Sequence, residues 1–376
     1  MKKYTNIFLL ISLLASSSSL YGQGCIAVRN LTPGVTATNN DPGTWQFSTN
    51  YRYFKSYKHF IGTDEQTQRV QQGTNVINHD NSLIFGANYT LNSRWSFGVS
   101  IPLLYIERSS LYEHYGNGTP PGSNPRFTTH SQGLGDIRVM GYYSALNTSK
   151  MRLQLGLGIK LPTGNYSYRD YFHKQGSQGE DMLVLGVVDQ SLQPGDGGTA
   201  AIVDFNFSRM LSHAWSLYSN GSYMFNPRNT NGVLRSASPG TVPLSNEFSV
   251  ADQFFARLGA QYQRGSFVFA LGGRIEGIPA RDAIGKSDGF RRPGYIISGE
   301  PSIFYTKGNH VVGLNVPIAI VRNRTKNTID TEQTIQTGTD KHGDAAFADY
   351  LISVTYAFRL TKKIANPFGT ASNPVK

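Results

Sequence analysis

From Trp45 onward the chain alternates apolar and polar side chains with a period of two, and it repeats this pattern at nearly constant run length. In Trp45-Gln46-Phe47-Ser48-Thr49-Asn50-Tyr51-Arg52-Tyr53 the odd positions are almost all aromatic and the even ones polar. Successive side chains of a strand point to opposite faces, so this run has one apolar and one polar face. Twelve such runs fall at 45–55, 81–91, 95–106, 133–145, 151–162, 199–210, 215–226, 250–263, 267–277, 294–306, 310–322 and 345–359. Each is close to the roughly 9–11 residues with which a tilted strand crosses a bilayer.

The connections narrow the choice further. Asn92-Ser93-Arg94, 147–150, 211–214, Arg264-Gly265-Ser266 and Lys307-Gly308-Asn309 are short, whereas 107–132, 163–198, 227–249, 278–293 and 323–344 are long and rich in Gly, Asn and Pro. Short and long alternate throughout. A soluble sandwich or a propeller accounts for many alternating strands but not for every second connection being long. An outer-membrane barrel accounts for both, because its periplasmic turns are tight, its outer loops long and its strand number even. The expected fold is all-β: a transmembrane antiparallel β-barrel of about twelve strands, with short periplasmic turns and long extracellular loops, in the outer membrane of a Gram-negative bacterium.

The aromatic residues point the same way. Trp45, Trp95 and Trp215 open outward-running strands, and Tyr89, Tyr143, Phe207, Tyr262, Tyr305 and Tyr356 stand near the ends of inward-running ones. In a barrel all of them reach the periplasmic interface on the lipid-facing parity, as an aromatic girdle.

The ends of the chain follow from composition. Met1-Lys2-Lys3, the apolar run Ile7 to Leu14 and the small residues up to Gly24 have the three-part layout of a secretory signal, so residues 1–24 are expected to be a signal peptide. Residues 25–44 then form an N-terminal periplasmic or lumen segment, 45–360 the barrel and 361–376 a C-terminal periplasmic tail. After the leader no stretch approaches the roughly 20 apolar residues of a spanning helix. Cys25 is the single cysteine, which leaves no intrachain disulfide and no Cys-based metal site. It follows Gly22-Gln23-Gly24, a partial lipoprotein cleavage box, so a lipidated and an inert Cys25 both stay open. The net charge of +11 is spread without a Lys/Arg run, and nucleic acid is not an expected partner. Asp349 to Phe358 is an aromatic-ended final strand of the kind that barrel-assembly machinery binds, here followed by a polar tail.

The stretch 150–166, with Gly156, Gly158 and Gly164 around Lys160, superficially imitates a phosphate loop. That motif needs its Lys after the last Gly and a helix beginning there, whereas Pro162-Thr163-Gly164 open a loop. No nucleotide cofactor is expected. Met151, Leu153, Leu155, Leu157 and Ile159 take the lipid side, so Arg152 and Lys160 point into the barrel. The same inward parity carries Arg52, Arg138, Arg257 and Arg274, opposed by Asp136, Asp204, Glu276 and Glu300. Two readings remain open: a basic bias that favours anions, and ion pairs that brace the wall. Phe255 and Phe304, with Leu104, Ile106, Met140 and Ile202, are also inward. They suit a path for an apolar solute or packing against residues 25–44 as a plug. Pro102 and Pro317 each lie seven positions into an outward-running strand. Proline cannot donate to a ladder, so these are sites of a kink or of lateral exit into the membrane.

An enzyme needs its nucleophile within hydrogen-bond reach of a base. His79-Asp80-Asn81-Ser82 and His130-Ser131 lie near the outer rim, but nothing in their spacing brings them together. The eight His show no metal-ligand spacing. No catalysis, metal or cofactor is expected.

Gly133-Leu134-Gly135-Asp136-Ile137, Gly158 to Gly164, Gly299-Glu300-Pro301-Ser302-Ile303 and Asn315-Val316-Pro317-Ile318 resemble outer-membrane proteins of the meta-pathway phenol-degradation family, over about residues 45–360. That family is transporter-like and is compared with fatty-acid and toluene channels. The resemblance implies a passive channel for small, hydrophobic or aromatic compounds, with outer-membrane lipids and a small solute as partners. The alternatives are a structural or surface-interaction barrel without transport, and a rim hydrolase.

Overall fold

The computed structural model describes residues 41–236, 240 and 242–361. The leader, Cys25, most of the N-terminal segment and the tail from 362 lie outside the described residues, and so do the expectations that fall on them.

The chain forms β1 (Trp45–Ile61), β2 (Asp64–Glu65), β3 (Ile77–Thr90), β4 (Trp95–Ser110), β5 (Phe127–Leu134), β6 (Arg138–Asn147), β7 (Met151–Lys160), β8 (Arg169–Gln175), β9 (Asp181–Val187) and β10 (Ala200–Met210). It continues with β11 (Trp215–Phe225), β12 (Thr230–Leu234), β13 (Glu247–Ser249), β14 (Gln253–Arg264), β15 (Phe267–Ile278), β16 (Gly294–Lys307), β17 (His310–Asn315), β18 (Ile318–Asn323) and β19 (Ala345–Leu360). Each wall strand pairs antiparallel with its sequence neighbour, and β19 returns to β1 from Trp45↔Leu360 to Phe60↔Ala345. With β5/β6 and β17/β18 each counted as one interrupted strand, and the short β2 left aside, the closed wall has twelve strands. Closure leaves no free ladder edge, which hydrocarbon would not tolerate.

The period of two is what the wall uses. In β1, Trp45, Phe47 and Tyr51 are exposed on the outside while Asn50 and Arg52 are buried within. In β7, Leu157 is 69% exposed and its neighbour Gly158 faces inward against Met140. The outward apolar surface meets lipid instead of water, so its exposure incurs no hydrophobic penalty. The girdle forms through directly paired residues. Trp45 stacks near Tyr89 (4.8 Å between ring centres), Trp95 near Tyr143 (4.9 Å) and Trp215 near Tyr262 (5.0 Å).

Several strands run past the expected bounds. β1 continues to Ile61 and β4 to Ser110, because beyond the bilayer a ladder still satisfies its own backbone. Two strands are interrupted where proline falls. Opposite Ile101-Pro102 the ladder stops at Ser100↔Arg138 and resumes at Leu103↔Leu134, so three residues, 135–137, bulge against two. At Val316-Pro317 the second break separates β17 from β18, and beyond it Ile318↔Tyr350 is the one ladder pair between β18 and β19.

The long outer connections are ordered. The loop 161–199 carries the hairpin β8–β9 and a 3-10 turn at Gln190–Leu192, the loop 226–252 carries β12 and β13, and the last loop carries a helix, Thr328–Thr337. That helix starts in a capping box between Asn327 and Asp330 and ends at Gly338 in the left-handed region, φ 67°. Together these segments cap the outer end of the barrel.

Candidate permeation path and outer cap

Of the inward charges named from sequence, Arg52, Arg138, Lys160, Arg257, Arg274, Glu276 and Glu300 are buried, and Asp136, Arg152 and Asp204 are partly so. Six of them gather into two groups. On β14 to β16, Arg257 binds Glu300 at 3.0 Å and Arg274 binds Glu276 at 2.7 Å, with Arg274 also 3.8 Å from Glu300. Phe255 lies beneath both guanidinium groups, at 5.5 Å from Arg257 and 5.1 Å from Arg274. Asn220 accepts from Arg257, and Asn315 donates to Glu300, which completes a neutral, cross-strand network.

The second group sits at the first wall break. Lys160, at the end of β7, pairs with Asp136 at 3.3 Å and with Asp196, which arrives from the loop 161–199. Asp136 also accepts from the backbone of Gly164 at 3.0 Å. Thr163 stitches the bulge itself: its hydroxyl donates to the Gly135 carbonyl (2.8 Å) and accepts from the Ile137 amide (2.9 Å). The stretch Leu161-Pro162-Thr163-Gly164 is therefore the clasp of the wall break, and Lys160 is a clasped cation. Gly156 and Gly158 leave room for Tyr142 and Met140, whose atoms stand within 2.7 Å and 2.2 Å of where a Cβ would be.

Four cavities line the axis. At the periplasmic end one of about 290 Å³ is bordered by Asp41, Arg94, Arg152, Asn206, Asn220 and Gln261. A narrower one of about 80 Å³ lies at mid-barrel among Asn50, Arg138, Met140, Tyr142, Ile202 and Asp204. A second of about 80 Å³ shares Arg138 and reaches the wall break through Pro102, Gly135 and Asp136, with Leu104, Phe248 and Ile278 on its apolar side. The largest, about 640 Å³, opens at the outer end beneath the loops. Phe304 stays apart from these, packed with Val311 and Ala357 near the periplasmic end.

The cap is held by ion pairs that no local pattern announces. Asp189 takes both guanidinium nitrogens of Arg292, at 2.8 and 2.6 Å, and lies 3.6 Å from Arg108, which also binds Glu113 at 2.8 Å. Burial alone would raise the Asp189 carboxyl, but the Arg108 and Arg292 cations outweigh it and hold it well below the usual carboxylate range. Arg291 makes an equivalent bidentate pair with Asp282, at 2.7 and 2.6 Å, and both are fully buried. At the end of β1, His59 accepts the Val76 amide at its Nε2 (2.8 Å). A backbone N–H can only donate, so the ring proton is on Nδ1, which donates to Asp344 at 2.8 Å. Asp344 also binds Arg69.

The rim residues do not assemble into a hydrolytic site. His79 bonds the Tyr53 hydroxyl at 2.9 Å and His130 pairs with Asp170 at 3.0 Å, while Ser82 donates to Asp80 and Ser131 to the Leu192 carbonyl. Among the described residues no group of three His, Cys, Asp or Glu side chains is placed to hold a metal ion.

A closed, twelve-stranded wall with a lipid-facing apolar belt and an aromatic girdle at one rim defines the class: an outer-membrane β-barrel. Among solved structures it is similar to the COG4313 outer membrane channel from Pseudomonas putida F1, with a TM-score of 0.57 and 12% identity over 88% of this chain and 100% of that one. A FadL homologue of Pseudomonas aeruginosa (TM-score 0.43, 9% identity, 90% of this chain and 99% of that one) and the P. putida toluene transporter TodX (0.41, 9%, 92% and 100%) match more loosely. At these identities the likeness is one of fold. No family model matches the sequence, and no curated protein does.

Proposed function

We propose that the protein is a passive outer-membrane channel for small hydrophobic compounds, with no chemistry of its own. The observation that carries this reading is the cavity at the wall break, because its one apolar flank, Pro102, Leu104, Phe248 and Ile278, leads from inside the barrel to an interruption that faces lipid, with Asp136, Arg138, Lys160 and Asp196 on the other flank. A solute entering from the outer cavity meets charged groups ahead at mid-barrel and, at Pro102, a side path with one apolar flank. An apolar solute favours the flank formed by Leu104, Phe248 and Ile278, where its surface leaves water against apolar side chains. At about 80 Å³ this cavity is smaller than the roughly 150 Å³ that holds a benzene. Passage therefore needs the Thr163 clasp or the Asp196 loop to move. The neutral pairing of Arg257, Arg274, Glu276 and Glu300 supports a bracing role for those charges over a fixed anion filter. The second break, at Pro317, has no comparable cavity behind it among those described, which favours a kink there.

The solved neighbours include a COG4313 outer membrane channel and a toluene transporter, names that agree with this reading. Uptake of toluene by vesicles carrying the purified protein tests it. Faster uptake than protein-free vesicles, with Thr163→Val faster still and ion conductance unaltered, is the expected result. Uptake no faster than in protein-free vesicles would favour a structural barrel.

A further inference from the structure

The outer cavity contains a cation that the rest of the cap does not balance. Arg69, Arg108, Arg235, Arg292 and Arg324 all border it. Four of them have carboxylate partners: Arg69 has Asp344, Arg108 has Glu113, Arg292 has Asp189 and Arg324 has Asp330 at 3.1 Å. The fifth, Arg235, forms no ion pair with a carboxylate among the described residues; its guanidinium lies 3.7 Å over the Phe290 ring. Arg292 occupies the same ring at 4.7 Å, so the aromatic surface is shared between two cations. His59 is neutral by the tautomer its partners impose and adds no charge. Four cations against four carboxylates, with Arg235 added, leave one positive charge facing a cavity of about 640 Å³.

We propose that this cavity binds a carboxylate-bearing solute, with Arg235 taking the carboxylate and Phe290, Tyr112 and Ile329 lining its apolar body. The chemistry follows from three features. A guanidinium presents two parallel N–H donors that match the two oxygens of a carboxylate. A single excess charge is neutralised by a monoanion, whereas a phosphate monoester carrying about −1.5 to −2 would leave the cavity negative. The lining is mixed: Tyr112, Phe290 and Ile329, beside the buried Val76 and Ala345, form an apolar and aromatic side on which a hydrophobic body packs, and Ser236, Ser245, Asn246 and Gln333 form a polar side. Arg235 follows directly on β12 and is exposed at the edge of the cavity. The inference deepens the channel reading by naming what its outer chamber selects, and rests on that reading only for the solute's later passage.

Calorimetric titration of the purified full-length protein with benzoate, benzyl alcohol and inorganic phosphate separates the possibilities. Benzoate is expected to bind saturably at one site, about tenfold or more tighter than benzyl alcohol. Arg235→Gln should remove that preference and leave benzyl alcohol unchanged, and Arg235→Lys should restore part of it through charge without the fork. Retention of the heat-modifiable folded form shows that the variants keep the barrel. Equal binding of benzoate to the wild type and to Arg235→Gln would overturn the assignment, and so would phosphate competing better than benzoate. Toluene uptake, measured in parallel, reports on the channel reading alone: its absence with benzoate binding intact sinks passage and not the site.

Discussion

The two ends of this barrel are built on different physics. At the periplasmic rim, turns of a few residues join strands whose aromatic side chains pair directly across the ladder, as Trp45 with Tyr89 and Trp215 with Tyr262. These girdle contacts are between neighbours in a sheet, and the stabilising solvent is lipid. At the outer end, loops of fifteen residues and more are tied by buried ion pairs between positions as far apart as Asp189 and Arg292, 103 residues in sequence. The first end is additive and local. The second is cooperative, because each buried charge depends on partners supplied by other loops. A wall that must only persist suits the first design, and the second suits the cover of a channel of the kind proposed above.

The largest expected effect follows from removing the acceptor that two cap cations share. Asp189→Ala leaves Arg292 buried without its bidentate partner and Arg108 with Glu113 only. Breaking one side of such a pair costs about 3–5 kcal/mol. The cap is expected to detach while the wall stays closed, read as rapid proteolysis within 163–198 and a rise in single-channel conductance, with the heat-modifiable barrel retained. Unchanged proteolysis and conductance would mean that the cap is held elsewhere and that the contrast between the ends is overstated.

The same contrast decides what was legible in the sequence. Period-two alternation, the alternation of connection lengths and the placement of Trp45, Trp95 and Trp215 follow from one-dimensional spacing, since which face a wall residue takes is set by its parity along its own strand. Arg257, Arg274 and Glu300 were legible as inward residues for the same reason, although which carboxylate each guanidinium takes was not. Asp196 on Lys160, Asp189 on Arg292 and Arg235 over Phe290 join different loops, and no periodicity marks them. The one available signal was chemical. Asp189 precedes Gln190-Ser191 in a cap-forming pattern, and its side chain does accept from the Ser191 amide at 3.0 Å. Strand ends were misjudged where β1 and β4 outrun the bilayer, because the period was read against membrane thickness. The motif Gly133 to Ile137 was visible as a likeness, yet its meaning as a bulge clasped by Thr163 required the fold.

Acid should loosen the outer end before the rim. Burial works to raise the Asp344 carboxyl, but the hydrogen bond from His59 and the Arg69 and Arg292 cations prevail and hold it at about 2. A carboxyl depressed in the folded state contributes stability that is present above its unfolded value, near pH 4, and is lost as pH falls toward 2. The loss is about 2 kcal/mol. Conductance is expected to rise through that window, with sheet content unchanged, and Asp344→Asn should be raised already at pH 7 and lose the dependence. A conductance flat from pH 5 to pH 2 would remove Asp344 from the cap's support.

The smallest effect belongs to the rim and tests its additivity. Trp45→Ala removes one ring of a cross-strand aromatic pair and one interfacial anchor, for about 1 kcal/mol. Trp215→Ala does the same six wall strands further round the barrel, where Trp215 pairs Tyr262. Residues this far apart share no partner, so urea unfolding of the double variant in vesicles should show the two losses summing to within about 0.5 kcal/mol. Proteolysis of the cap and conductance should stay at wild-type values, since no girdle ring touches an outer loop. A double variant that also released the cap would show that the wall transmits strain along its strands, and the two ends would then have to be treated as one cooperative unit.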